Sequence, residues 1–434
     1  MKSRMAIAVF VIIFLSIPLD MAAQARFITF DLSGSFGIFP ASINPAGAIA
    51  GFYFDANFAS HGFFRKPDGT VIRFDFPNSN LTSLVSINPA GVITGFYGQA
   101  NRPGAHGFLR EPKGTIITFD VPDAVSTSPT SIDPAGVITG NFFAANDPTF
   151  LSHSFVRQPN GTITKFDAPG AGTSGPGGTF PLSINPAGVI TGNFFDNASV
   201  SHGFVREADG RITTFDNPEP GTPPFQTSPD LTPRSINPAG AITGNYLNVS
   251  TAVSHGFLRE PDGSITTFEA PGAGTSPFDG TFPLSINPAG VITGNYTDNS
   301  TVSHGFLREP DGSITTFEDP DAGTSRFDGT FPLSINPEGV ITGNYIDNST
   351  VSHGFVRKPD GSITAFEAPD AGTRPNEGTF PSSINPAGTI TGSYVDKNGL
   401  AHGFLRIRCE RDDDRECEHH EDGQTNCSCD PNVR

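Results

Sequence analysis

The sequence predicts an all-β fold: an eight-bladed β-propeller of four-stranded antiparallel blades, closed by an N-terminal strand that completes the last blade. Three observations predict it. One block recurs eight times, each copy of about 50 residues reads as four short strands, and the chain opens with the strand that its last copy lacks.

The block Ser-Ile-Asn-Pro-Ala-Gly begins at Ser42, Ser86, Ser131, Ser183, Ser235, Ser285, Ser334 and Ser383, with Asp133 and Glu338 the only departures. His-Gly-Phe follows in each copy, at His61, His106, His153, His202, His255, His304, His353 and His402, with Ser154 replacing Gly once. An Arg stands four residues after each His, from Arg65 to Arg406.

Within one copy, Thr281–Asn287 reads as a first strand. Asn287-Pro288-Ala289-Gly290 suits a type I turn, because Pro fixes φ at its second position and Gly tolerates φ > 0 at its end. Val291–Tyr296 and Ser303–Arg308 read as the second and third strands. Pro310-Asp311-Gly312 signals a tight hairpin into Ser313–Glu318, the fourth.

A two-residue turn at Asp311-Gly312 sets Phe306 opposite Phe317. The same register pairs Phe63 with Phe74, Phe108 with Phe119, Phe257 with Phe268 and Phe355 with Phe366, each pair contributing about 0.2–1 kcal/mol over Ala pairs. Tyr53, Tyr97, Tyr246, Tyr296, Tyr345 and Tyr394 share one position of the second strand, filled by Phe142 and Phe194 in the other copies. Constant aromaticity marks it as a packing position between blades.

The last copy stops after its third strand, Ala401–Arg406, and Arg26-Phe27-Ile28-Thr29-Phe30-Asp31 matches the missing fourth. Joining the two removes the open sheet edges; a stacked β-solenoid is the competing architecture and gains nothing from the arrangement.

Composition agrees. Gly (49) and Pro (39) make about a fifth of the 434 residues, as many turns require. With no Trp, the 39 Phe must fill the core. The formal charge is −18, so no basic face for nucleic acid is expected.

Residues 1–25 read as a signal peptide: Lys2 and Arg4 precede the apolar run Ala6–Pro18, and Ala23-Gln24-Ala25 places small residues at a cleavage site. A retained anchor is the alternative, but the run is shorter than the roughly 20 residues of a spanning helix. A secreted, extracellular or periplasmic protein without a membrane span in its mature chain follows, and a monomer is expected. The repeats occupy 26–408, and 409–434 is an acidic tail. The tail holds Cys409, Cys417, Cys427 and Cys429, read as two disulfides with three possible connectivities. Zinc binding with His419 and His420 is the alternative, though the spacing fits no common zinc pattern.

The units Gly-Val-Ile-Thr-Gly-Asn-Tyr, His-Gly-Phe-Leu-Arg and Ile-Thr-Thr-Phe-Glu-Ala-Pro-Gly-Ala resemble those of the bacterial extracellular HAF-repeat proteins, from Arg26 to about Arg406. This chain has Gly or Ser where that family's name has Ala. The resemblance implies a secreted, propeller-like repeat protein, assigns no activity and carries over no catalytic residue.

In a propeller the loops joining strands one to two and three to four share one face; here they are tight and uniform. The loops joining two to three, and four to the next blade, vary. A ligand-binding role is assigned to this variable-loop face. Its candidates are Asp196, Asp298, Asp347 and Asp396, with Asp55 in the same series, and Phe225, Phe278 and Phe327. The Asp series suits Ca²⁺ or, more simply, turn formation; no other cofactor is read. The Phe residues suit stacking on sugar rings or capping of blade edges.

The His residues, one per copy, read as a repeated structural hydrogen bond. The Arg series and the acids Asp31, Asp75, Asp120, Asp167, Asp216, Glu269, Glu318 and Glu367 read as structural partners whose pairing the sequence leaves open. No copy carries an unmatched nucleophile–base set. The expected function is a non-catalytic binding or scaffold module for a glycan or protein, with a carbohydrate-active hydrolase or lyase, or a structural cell-surface protein, as alternatives.

Overall fold

In the computed structural model, residues 25–408 are described, apart from 100–101, 146, 148, 175–176, 217–230 and 249, together with 418–419 and 425–426. The segment 1–25 expected to be a signal peptide (of which only Ala25 is described), Phe225 and the four Cys lie outside the described residues. The chain divides into Phe27–Ile407 and a unit of the terminal segments Met1–Arg26 and Arg408–Arg434. In the terminal unit, Glu418–His419 pairs antiparallel with Thr425–Asn426.

Phe27–Ile407 is all-β, with no helix among the described residues. Its strands form a 24-stranded and an 8-stranded hydrogen-bonded network. The copy around Ser285 is representative: Gly280–Ile286, Ile292–Thr297, Ser303–Arg308 and Ile314–Phe317 follow one another, each antiparallel to the last. Asn287 N–H donates to Val291 O and Gly290 N–H to Asn287 O, both at 3.0 Å. Gly290 takes the positive φ the turn demands (86°).

The second hairpin differs from the expected one. Glu309 N–H donates to Ser313 O and Gly312 N–H to Glu309 O, both at 2.9 Å, with Gly312 at φ 91°. This is a three-residue loop, a type I turn followed by a left-handed Gly. The register therefore moves by one: Phe317 faces Gly305, and Phe306 faces Thr316. The same correction applies to Phe74, Phe119, Phe268 and Phe366, which face Gly62, Gly107, Gly256 and Gly354.

The displaced Phe instead joins consecutive copies. Phe317 meets Phe355 edge-on at 6.2 Å, and Phe268 meets Phe306 at 6.0 Å. Third-strand Phe residues such as Phe306 and Phe355 are fully buried, each contributing about 1.5–3 kcal/mol. The second-strand aromatics stack mainly within their own copy, Tyr296 on His304 at 4.9 Å and Phe194 on His202 at 4.8 Å.

Asn side chains link the tight turns of successive copies. Nδ2 of Asn44, Asn88, Asn185, Asn237, Asn287 and Asn336 donates to the backbone oxygen of the matching residue one copy on, at 3.2–3.4 Å. Asn385 donates to Asn44 O at 3.2 Å. Asp133 has no such donor, so the link to Asn185 is missing. Arg26–Phe30 pairs with Ala401–Ile407, and Gly37 pairs in parallel with Ala401.

Candidate functional site

The loop joining second and third strands is built by its Asp. Asp298 Oδ1 accepts the N–H groups of Ser300 (2.8 Å) and Val302 (3.0 Å), and its backbone oxygen accepts Thr301 N–H at 2.9 Å. Asp55, Asp196, Asp347 and Asp396 do the same in their copies. Asp147, which the sequence reading passed over, turns the loop of the third copy with both oxygens, Oδ1 accepting Thr149 N–H (2.8 Å) and Oδ2 accepting Leu151 N–H (3.2 Å).

The other carboxylate oxygen faces histidine. Nε2 of His61, His202, His304, His353 and His402 lies 3.4–3.6 Å from Oδ2 of Asp55, Asp196, Asp298, Asp347 and Asp396. Nδ1 meets the acid fourteen residues on: His61 with Asp75 (2.8 Å), His106 with Asp120 (2.9 Å), His153 with Asp167 (2.9 Å) and His304 with Glu318 (3.2 Å). His202–Asp216, His255–Glu269 and His353–Glu367 pair likewise, and His402 meets Asp31 at 2.6 Å. The open pairing of the acidic series is thus settled.

The candidate Asp residues turn loops and orient imidazoles. Among the described residues no group of three or more His, Cys, Asp or Glu is placed to hold a metal. The loop N–H of Ala59 holds Asp55 below the usual carboxylate range. The hydrogen bond that His353 donates to the Glu367 carboxylate raises the His353 pKa.

The Arg series takes aromatic partners. Arg308 lies over Phe268 (5.1 Å), Arg357 over Phe317 (4.8 Å), Arg406 over Phe366 (4.9 Å) and Arg65 over Phe30 (5.4 Å). Each stacks on the fourth-strand Phe of the neighbouring copy, and burial lowers the guanidinium pKa, to about 10 at Arg406.

Phe278 and Phe327 are 74% and 65% exposed. Both have φ near +72°, a costly backbone region for an aromatic residue. Arg326 covers one face of the Phe327 ring at 4.6 Å. Phe58 and Phe150, which the sequence reading missed, are 70% and 72% exposed on second-to-third loops. Their signal is an aromatic three residues after the loop Asp, where Asp298 and Asp347 are followed by Thr301 and Thr350.

The inter-copy loops add three buried acids that the reading also missed: Asp279, Asp328 and Glu377. Asp319 is a fourth, buried where other copies have Ala168, Ala270 or Ala368. On the tight-turn side, a cleft of about 230 Å³ is lined by Asn287, Glu309, Glu338 and Arg357, with no Ser, Thr, Cys or His among its lining residues.

No family model and no curated protein matches the chain. Among solved structures, a prolyl endopeptidase is similar with a TM-score of 0.50 and 11% identity, over 87% of this chain and 56% of that one. An acylaminoacyl peptidase of Pyrococcus horikoshii gives 0.45 and 10%, over 86% and 52%. TolB of Acinetobacter baumannii gives 0.35 and 13%, over 76% and 77%. The chain spans about half the length of the two peptidases. No helix among the described residues is long and apolar enough to cross a membrane, and the fold is all-β and propeller-like.

Proposed function

We propose that this protein is a non-catalytic glycan-binding module acting outside the cytoplasm, an eight-bladed closed propeller that binds through its variable-loop face. The observation that carries the reading is the display of Phe58, Phe150, Phe278 and Phe327 on those loops, each largely exposed at a positive φ. Phe58 meets the exposed Phe36 edge-on at 5.1 Å, Phe327 carries Arg326 on one face, and Asp279 and Asp328 directly follow Phe278 and Phe327. Exposed aromatic rings beside charged and hydrogen-bonding groups suit the faces and hydroxyls of sugar rings.

Closure is supported by contacts between the chain's ends that repeat those between consecutive copies. Asn385 reaches Asn44 as Asn336 reaches Asn385. Arg65 covers Phe30 as Arg357 covers Phe317. Asp31 meets His402 as Glu318 meets His304. The non-catalytic reading is supported by repetition: the carboxylate–His–carboxylate arrangement recurs through the copies, as a structural device does. Secretion, and kinship with the HAF-repeat proteins, are part of the same proposal.

A glycan array on the purified protein, followed by calorimetry on the hits, tests the reading. Phe278→Ala combined with Phe327→Ala should weaken binding at least about tenfold, a loss of about 1.4 kcal/mol, while Glu338→Ala on the opposite face leaves it unchanged. Binding that survives the loop changes but fails in Glu338→Ala overturns the face. Release of product from a bound polysaccharide overturns the non-catalytic reading.

A further inference from the structure

The loop before the copy at Ser285 runs between two neighbours. Phe278 N–H donates to Ala252 O (2.7 Å) and Ser254 N–H to Asp279 O (2.8 Å). On the other side Gly274 N–H donates to Thr297 O (2.8 Å) and Thr275 N–H to Asn299 Oδ1 (2.9 Å). Asp279 is fixed between them. It is 1% exposed, and neither carboxylate oxygen has a hydrogen-bond partner.

The next copy repeats the arrangement. Phe327 N–H donates to Thr301 O, Ser303 N–H to Asp328 O (both 2.9 Å) and Thr324 N–H to Asn348 Oδ1 (3.0 Å). Asp328 is buried, with Oδ2 unpartnered. One copy further on, Glu377 stands at the same position and Oε2 accepts Arg374 N–H at 2.9 Å. The additional methylene lets this acid satisfy itself within the loop.

Glycine keeps space beside each acid. A Cβ on Gly274 would lie 2.8 Å from Asp279 Cβ, and one on Gly323 would lie 2.8 Å from Asp328 Oδ2. On Gly372 it would lie 2.2 Å from Glu377 Oε2. The Glu carboxylate reaches further toward its glycine than the two shorter Asp do.

A buried, ionised carboxylate without a closed hydrogen bond is costly. Burial first, and then the nearby Asp298, raise the Asp279 pKa; the N–H and hydroxyl of Ser276, which face the carboxylate without closing a hydrogen bond, and more weakly Arg326, act against this. A water molecule would supply hydrogen bonds but leave the charge. A hard cation supplies both, and oxygen ligands are at hand in the Asp279 loop: the carboxylate itself and the Ser276 hydroxyl that faces it.

We propose that Asp279 and Asp328 each anchor a calcium ion beneath the loops that carry Phe278 and Phe327. Ion binding stands on the geometry of these loops alone; its use, holding the two Phe residues in their strained display, rests on the loop-face reading above.

The full chain, stripped with chelator, is titrated with calcium alone and followed by calorimetry and thermal unfolding. One ion per Asp is expected, with a rise in Tm of about 2 °C or more at millimolar calcium. Asp279→Glu should lose its ion at unchanged charge, because the longer arm reaches the loop N–H as Glu377 does. Glu377→Asp should add an ion. If Asp279→Glu misfolds, Asp279→Asn serves: it should lose the ion yet match or exceed the chelated parent's Tm. Absence of calcium binding, or binding indifferent to these changes, overturns the proposal. Calcium binding without any glycan binding overturns only the loop-face reading.

Discussion

The Phe317 ring covers Gly305 across the hairpin so closely that a Cβ there would lie 2.5 Å from Cε2. Gly305→Ala must push the ring away and disturb its contact with Phe355, and should lower stability by about 1–3 kcal/mol. Gly305→Ser should cost less. In the third copy Ser154 already faces Phe166, and its hydroxyl donates to Thr179 O at 3.0 Å. Thermal unfolding of the two variants ranks them.

Asp133 interrupts the chain of Asn links, and Asp133→Asn restores the donor toward Asn185 O. The variant should be more stable by about 0.5–1.5 kcal/mol at neutral pH. Burial raises the Asp133 pKa above its ordinary value, against the loop N–H groups. The native state then holds this proton more tightly than the unfolded chain. The penalty is absent below the ordinary carboxylate value and grows as pH rises through the folded one. The Tm difference between variant and parent should widen over that interval and then stay level.

Arg357 is buried against Phe317, with Nε unpartnered and one bond from Nη1 to Lys358 O (3.4 Å). Arg357→Lys keeps the charge and loses the flat stacking group, and should cost about 0.5–2 kcal/mol. The loss should change little with added salt, because the partner is a ring and not an exposed carboxylate.

His353 should titrate above the ordinary imidazole value, first because of its hydrogen bond to Glu367. The stability this gives is fully present below the ordinary value and disappears as pH rises through the raised one. In NMR titration of the ring protons, Glu367→Gln should bring the midpoint down and flatten the Tm profile over the same interval.

Much of this arrangement was legible because each strand is short and its turns carry their own chemistry. Ser303–Arg308 falls where its alternation places it, and Asn287–Gly290 turns as Pro and Gly dictate. One misreading, the loop at Pro310–Gly312, had a wide effect, because a single-residue slip reassigns every cross-strand pair. In the true register Gly305 faces Phe317, and continuing it by one step sets His304 beside Glu318. The partner of every repeated His was therefore hidden by one turn type. Arg308 over Phe268 could not be read locally, since it joins different copies. Asp279 looked like an ordinary loop residue; its isolation from solvent depends on three loops meeting. Phe58 and Phe150 were readable as departures from Ser, Thr or Ala, but their exposure was not.

His402 and Asp31 touch across 371 residues, whereas the other pairs made by histidine Nδ1 are separated by 14. For an unstructured chain the longer closure costs about 3 kcal/mol more in entropy. Folding order follows from this disparity. Hairpins can form early and locally, while Arg26–Phe30 waits for Ala401–Ile407 with Phe27 and Phe30 uncovered. Refolding should show a late step sensitive to Asp31→Ala, which slows the final docking without slowing hairpin formation. During synthesis the earliest strand is held in abeyance longest, and this interval is when the chain is most open to misassociation.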